Sequence, residues 1–487
     1  MMVAENSLQT RRAKLLIGSE WLQGESSFEV FDKTTQALIG HAEAASRQQV
    51  DAAVDAAHTA FERNTLEPWD RYRILCRVAE LIDKHRAEFC ALIAAEAGFP
   101  LSDGDNEVNR AVQTFLTSAE EGKRLSGEVV PIEGAPGNAH RMAFTIRAPR
   151  GVVCGITSFN SPLNMVAHKV APALASGNTV VLKPPQATPF SAALLFQILL
   201  DSGLPAGHAN LVNGSGARIG SWLTANPKIA FYTFTGSTAV GKQIRDAIGM
   251  RPIALELGSI AATIACDDAD LERAAPRCVN SAFRRAGQAC TSTQRMYVQE
   301  PVVGRFLDLF VAATKKLKVG DPREPATAIG PMISENDAVR VESWVKEAVS
   351  AGAQLVYGGQ RTGAVLQPTI LYDPQRRGVP ARMRVLCEEV FGPVVTIIPF
   401  QTLDDAIDEI NAMPYGIATG IFTKDVNRAM RAARRLNVAT VHINESSTSR
   451  VDLMPFGGVK DSGLGREGPR YAMREMTEER LVTISLY

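Results

Sequence analysis

A chain of 487 residues exceeds what one hydrophobic core fills, so about three domains' worth of mass and room for a large buried site are expected. Its 52 basic and 52 acidic residues cancel to zero formal charge without runs of one sign, which excludes nucleic acid and anionic membranes as bulk partners. Seven scattered cysteines lack paired CxxC spacing, which argues against a metal site or disulfide framework and for a reducing, cytoplasmic setting.

Met1 to Leu15 carries Arg11, Arg12 and Lys14 but no apolar stretch of signal-peptide length, and no later segment approaches the roughly 20 apolar residues of a membrane span. From Arg47 to Glu62, Val50, Val54, Ala57 and Phe61 recur at helical spacing. A second such run, Tyr72 to Ala95, stops at Gly98 and Pro100, so the N-terminal region is expected to be largely amphipathic helix. Between Glu128 and Arg150, β-prone pieces broken by Pro131, Gly134, Pro136, Gly137 and Pro149 predict strands and a hairpin, an arm reaching outside its own domain.

From Gly151 onward strands and helices alternate: Val152 to Ile156, Asn164 to Ala175, Thr179 to Leu182, Ser191 to Ser202, Asn210 to Val212, then Ile229 to Thr233 and a helix from Ala239. This predicts a parallel sheet covered on both faces. After Cys290 a second α/β series begins: strand Met296 to Gln299, helices Val302 to Lys316 and Asn336 to Ala351, and strands near Leu355 and Val394 to Pro399.

Cys290 lies among small or polar neighbours, Gly287-Gln288-Ala289 and Thr291-Ser292, which leave its sulfur accessible as a nucleophile; a reactive cysteine there has to be partly ionised. The other six cysteines lie in apolar or helical runs and read as inert. Glu256 ends the apolar piece Ile253-Ala254-Leu255, where burial would raise its pKa and suit it to act as a base; a salt-bridged structural glutamate is an equal reading of the spacing. Asn160 in Phe159-Asn160-Ser161-Pro162 offers an amide donor for an oxyanion, though asparagine is also good turn chemistry there.

Gly236-Ser237 follows a strand and opens a helix, a placement suited to phosphate. Gly214-Ser215-Gly216 with Gly220 looks closer to the familiar dinucleotide fingerprint, but glycines also serve plain turns and helix packing. Lys183 ends a strand on the side where α/β sheets bind ligands.

Together, Pro149-Arg150-Gly151, Phe159-Asn160, Pro172 to Pro184, Phe234 to Ser237, Glu256-Leu257-Gly258, Gly287 to Cys290, Glu388 to Pro393 and Pro455 to Gly458 resemble the aldehyde dehydrogenase superfamily from about Arg47 to the C-terminus. The resemblance implies an α/β fold with a Rossmann-like cofactor domain (1–127 and 147–257), an α/β catalytic domain (258–445) and β oligomerisation elements (128–146 and 467–487) whose strands pair between subunits of a homodimer or homotetramer. It implies Cys290 as nucleophile, Glu256 as base and Asn160 as oxyanion donor. NAD or NADP would be bound through Lys183, Gln186, Thr157, Phe159, Gly236, Ser237, Glu389 and Phe391, with no metal.

Ser259 stands where a second glycine is usual, and Ser161 where an aromatic often follows Asn160. Gln186 stands where NAD-preferring members often carry glutamate, which leaves NADP open. Arg110 and Arg450, with Ser161 and Ala289, are candidate substrate residues; two arginines would favour an anionic or hydroxy aldehyde. Structural ion pairs with Glu107 and Asp452 are the stronger reading of those arginines, since structural arginines outnumber ligands. Aromatic or aliphatic aldehydes, and acyl transfer to coenzyme A, are the alternatives. His168, mid-helix, reads as structural.

Overall fold

The computed structural model describes residues 11–63, 66–376 and 383–486, so the first ten residues of the N-terminal reading and the terminal Tyr487 lie outside the described residues. Two open sheets carry the fold. The first has eight strands in the order Gly463–Leu464, Ile253–Glu256, Ile229–Thr235, Val152–Ile156, Thr179–Lys183, Ala209–Leu211, Leu15–Ile17 and Glu20–Leu22. From Ile253–Glu256 to Ala209–Leu211 neighbouring strands run parallel; the additions at either edge are antiparallel.

The parallel strands are near-continuous apolar runs because helices cover both faces. Val153, Val180, Leu182 and Phe231 pack with helices Pro68–Lys84, Leu101–Gly122, Asn164–Ala175 and Phe190–Asp201. Their neighbours Val152, Cys154, Val181 and Tyr232 point the other way, onto Arg47–Arg63, Gly216–Ala225 and Thr238–Ile248. This alternation puts the C-terminal ends of Val152–Ile156, Thr179–Lys183, Ile229–Thr235 and Ile253–Glu256 on one rim, where ligand-facing side chains belong.

The second sheet has seven strands, Gln354–Tyr357, Thr369–Tyr372, Val394–Phe400, Arg295–Gln299, Ala262–Ala265, Ala418–Phe422 and Thr440–Ile443, parallel except for the first. It has its own core, built around Phe283, Tyr297, Phe306, Phe310 and Ile397.

Two expectations are corrected. The N-terminal region is not all helix: five strands span Arg11–Ala13, Leu15–Ile17, Glu20–Leu22, Ser26–Phe31 and Leu38–Ala44, too short and too polar for their period to register. The run from Tyr72 to Ala95 is two helices, Pro68–Lys84 and Arg86–Ala97, broken at His85, whose φ of −92° and ψ of 14° leave the helical region.

The arm is built within the chain, where strand Thr477–Ser485 pairs with Arg141–Pro149. Helix Pro469–Glu475 explains this: Ala472, Met473 and Met476 sit in the cofactor-side core, and Arg150 donates to the carbonyl of Glu475, so the last strand starts at the base of its own arm. Residues 469–476 therefore pack with the cofactor-side helices, inside the stretch expected to be an oligomerisation element. Among the described residues no helix is long and apolar enough to cross a membrane.

Candidate active site

The loop after Val152–Ile156 divides two cavities. Thr157 and Ser158 line one of about 600 Å³, together with Lys183, Gln186, Gly216, Gly220 and Gly236. Asn160 and Ser161 line another of about 100 Å³, together with Ala289, Cys290, Arg110 and Arg450.

Cys290 is half-buried in a loop that follows a left-handed turn and packs near Ile417, Ala418 and Phe456. Burial, then the nearby Glu256 and Glu389, push its thiol up to about 12, against a smaller opposing effect of Arg450. Burial first, and the facing carboxylates second, thus favour the protonated thiol in the absence of ligand, where the sequence reading expects partial ionisation.

Glu256 ends its strand fully enclosed, and neither carboxylate oxygen has a partner among the described residues. Burial first, and repulsion from Glu467 second, raise its pKa well above the ordinary range. Gly457 gives it room: a Cβ there would lie 3.0 Å from Glu256 Oε1. Of the two sequence readings of Glu256, the salt-bridged one is excluded. Glu467 takes that role instead, accepting from Lys169 Nζ at 2.9 Å; the ammonium also donates to Thr233 and Thr235.

Asn160 is buried, its Oδ1 accepting from Ser158 Oγ at 2.7 Å, which turns the Nδ2 amide outward with no partner among the described residues. Glu389 Oε1 accepts from the Ser259 N–H at 2.9 Å, and burial raises the Glu389 carboxyl to about 7. Phe391, at φ 47°, meets Phe159 edge-on at 5.7 Å. A left-handed phenylalanine is strained backbone of the kind that gathers at binding sites.

In the larger cavity Lys183 donates, among the described residues, only to the Pro184 carbonyl, and burial lowers its pKa to about 8. Thr157 Oγ1 is buried without a partner among the described residues. Gly216 and Gly220, which packing alone could explain, instead present open backbone to the cavity: a Cβ at either would meet nothing within 4 Å. Ser237 caps helix Thr238–Ile248 and does not line the cavity. A long cleft at the strand C-termini, with an unencumbered amine and bare glycine surface, fits a dinucleotide.

The smaller cavity is basic. Arg110 pairs with Asp452 through Nε and Nη2, as the structural reading of that arginine had it; Glu107 goes instead to Arg285. Arg284 is held by Asp103. Arg450 lies over the Phe456 ring, 3.7 Å from its centroid, and 3.7 Å from Glu467 Oε2, its Nε without a partner among the described residues. His168 Nε2 is 2.8 Å from Asp452. Arg284, Arg285, Lys169 and Glu467 escaped the sequence reading. Signals existed: two arginines six and five residues before Cys290, and a His168-Lys169 pair inside an otherwise apolar helix.

The aldehyde dehydrogenase family model matches residues 21–482. A 3-sulfolactaldehyde dehydrogenase of Priestia megaterium is 44% identical over 478 residues, covering 98% of this chain and 99% of the relative. The crystal structure of aldehyde dehydrogenase 21 from Physcomitrella patens, in complex with the reaction product succinate, superposes with a TM-score of 0.94 at 36% identity, covering 98% of each chain. That of an NADP-dependent glyceraldehyde-3-phosphate dehydrogenase from Bacillus halodurans, complexed with NADP, gives 0.95 at 34%, covering 98% of this chain and 100% of the other. The chain belongs to the aldehyde dehydrogenase family, enzymes that oxidise aldehydes with NAD(P)+.

Proposed function

We propose that the chain oxidises a small, singly charged anionic aldehyde to the free acid, with Cys290 as nucleophile, Asn160 as oxyanion donor and Glu256 as the base for hydrolysis. The charge balance around the smaller cavity carries the substrate reading. Arg110, Arg284, Arg285, Arg450 and Lys169 stand against Asp103, Glu107, Asp452 and Glu467, leaving one cation in excess. Burial disfavours the charged form of Glu256 and of His168 alike. Arg450, whose nearest carboxylate, Glu467, is 3.7 Å away and also held by Lys169, and whose Nε has no partner among the described residues, is the arginine best placed to read the anion. The sulfolactaldehyde relative and the succinate complex support a sulfonate or carboxylate. A pocket of about 100 Å³ speaks against bulky aromatic aldehydes.

In this mechanism the Cys290 thiol gives its proton to solvent water as the sulfur adds to the aldehyde carbon, while Asn160 Nδ2 holds the developing oxyanion. The bound nicotinamide supplies the hydride acceptor. Loss of hydride leaves a thioester on Cys290; Glu256 takes a proton from the attacking water, and the acid leaves with the thiol restored. An unpaired, buried Glu256 favours hydrolysis over acyl transfer to coenzyme A.

Initial rates of NAD(P)H formation across sulfonate, carboxylate and size-matched neutral aldehydes test the substrate. The anionic members are expected to lead in kcat/KM, and Arg450→Met to cost roughly 10- to 100-fold there, the worth of a charge-assisted hydrogen bond. An unchanged preference in that variant would return Arg450 to a structural role.

Lys183, Thr157 and Gln186 would hold the adenosine ribose, and Glu389 with Phe391 the nicotinamide end. Gln186→Glu is expected to lower kcat/KM for NADP+ by at least about tenfold through like-charge repulsion, sparing NAD+; equal losses with both cofactors would put the 2′-position elsewhere. The exposed Val129, Met142, Ile146, Leu481 and Ile484 on the arm support a homodimer or a dimer of dimers. Light scattering at micromolar concentration should return a multiple of the chain mass, and a monomer would oppose it. Free cysteines and balanced charge support a cytoplasmic enzyme.

A further inference from the structure

Three successive residues before the nucleophile, Arg285, Ala286 and Gly287, are all left-handed, at φ 53°, 53° and 69°. Gly287 is forced: a Cβ there would lie 2.1 Å from the Gly392 carbonyl oxygen. Arg285 and Ala286 have no such excuse, and L-residues resist this region. What holds Arg285 there is visible in its side chain. Its Nη1 donates to the backbone carbonyl of Asn160 at 2.7 Å, and its Nη2 to Glu107 Oε2 at 3.2 Å. Glu107 Oε1 in turn accepts from the N–H groups of Leu163 and Asn164, at 2.8 and 3.0 Å. The guanidinium lies against the Phe99 ring, 5.4 Å from its centroid, and is almost wholly buried. Back on its own loop, the Arg285 carbonyl accepts from the Gln288 backbone N–H and from Gln288 Nε2, while Gln288 Oε1 accepts from Ile333 N–H.

We propose that Arg285 is a positioning residue that fastens the Asn160 loop to the Cys290 loop, so that oxyanion donor and thiol keep one geometry. The two loops come from different sheets and share no strand, so their relative placement depends on such cross-links. Arg285 grips the peptide of the very residue whose amide faces the reacting carbonyl, and its other end is pinned by a carboxylate that also fixes the start of helix Asn164–Ala175. The strained turn and the buried guanidinium compensate one another. This inference rests on Asn160 acting as the oxyanion donor.

The test is a double-mutant cycle on the full-length enzyme, Arg285→Met against Asn160→Ala, with a sulfonated or carboxylated aldehyde as substrate. Arg285→Met should lower kcat by about 10²-fold, the cost of a displacement near 1 Å, with little change in aldehyde KM or cofactor affinity. The double variant should fall no further than Asn160→Ala alone to within about threefold, since both remove one function. Arg285→Lys keeps the charge opposite Glu107 and should recover part of kcat; combined with Asn160→Ala, it carries the same test if the methionine variant unfolds. Losses that multiply in the double variant, or a rise in KM with kcat intact, overturn the proposal. Asn160→Ala turning over like the wild type would instead refute the oxyanion assignment on which it stands.

Discussion

Replacing Cys290 by alanine is expected to abolish turnover, lowering kcat by roughly 10⁴- to 10⁶-fold, because both halves of the reaction pass through a bond to its sulfur. Cofactor affinity, read by fluorescence titration, should stay within a fewfold of wild type, since the thiol lines the smaller cavity and not the 600 Å³ cleft. Retained turnover would remove Cys290 from the mechanism. The protonated resting thiol adds a pH consequence. With its pKa pushed to about 12, alkylation of Cys290 by iodoacetamide in the free enzyme should rise steadily with pH through neutrality and reach no plateau below about pH 10. A plateau near pH 7 would mean that charge near the sulfur is more positive than the arrangement of Glu256, Glu389 and Arg450 implies.

Glu256→Gln is expected to separate the two halves of the cycle. The steady-state rate should drop by about 10²- to 10⁴-fold, the usual worth of a positioned base. One equivalent of NAD(P)H per active site should still form in a burst, because acylation of Cys290 precedes any need for activated water. In the wild type, hydrolysis should accelerate as the pH rises. The sign follows from the carboxyl: burial and Glu467 hold its pKa high, so the protonated form, useless as a base, dominates until the pH rises past that value. The glutamine variant should lose this dependence. A variant without a burst, or with full steady-state activity, would move the base elsewhere.

Much of the fold was legible because parallel strands covered on both faces are written as unbroken apolar runs. Val152–Ile156 and Asn164–Ala175 fall on their expected bounds, and Thr179–Lys183 and Val394–Phe400 within one residue. The strands between Arg11 and Ala44 were not legible: they are three to seven residues long, partly exposed, and held by pairing with distant segments that no local pattern reveals. At the site, Cys290, Asn160 and Glu256 could be picked out by chemistry and spacing. The network around them could not. Lys169 reaches Glu467 across 298 positions and Arg285 reaches Asn160 across 125, so the charges that set the resting protonation of the site exist only in three dimensions. The thiol shows the consequence: sequence chemistry asks for a partly ionised cysteine, while burial and the facing carboxylates favour its protonated form.

Trapping the acyl-enzyme tests the account most directly. Glu256→Gln protein, incubated with a sulfonated or carboxylated aldehyde and NAD(P)+, is digested and its peptides weighed by mass spectrometry. The mechanism predicts a near-stoichiometric mass increase, equal to the acyl group of that aldehyde, on the peptide containing Cys290. Unmodified Cys290, or an adduct on another of the seven cysteines, would contradict it.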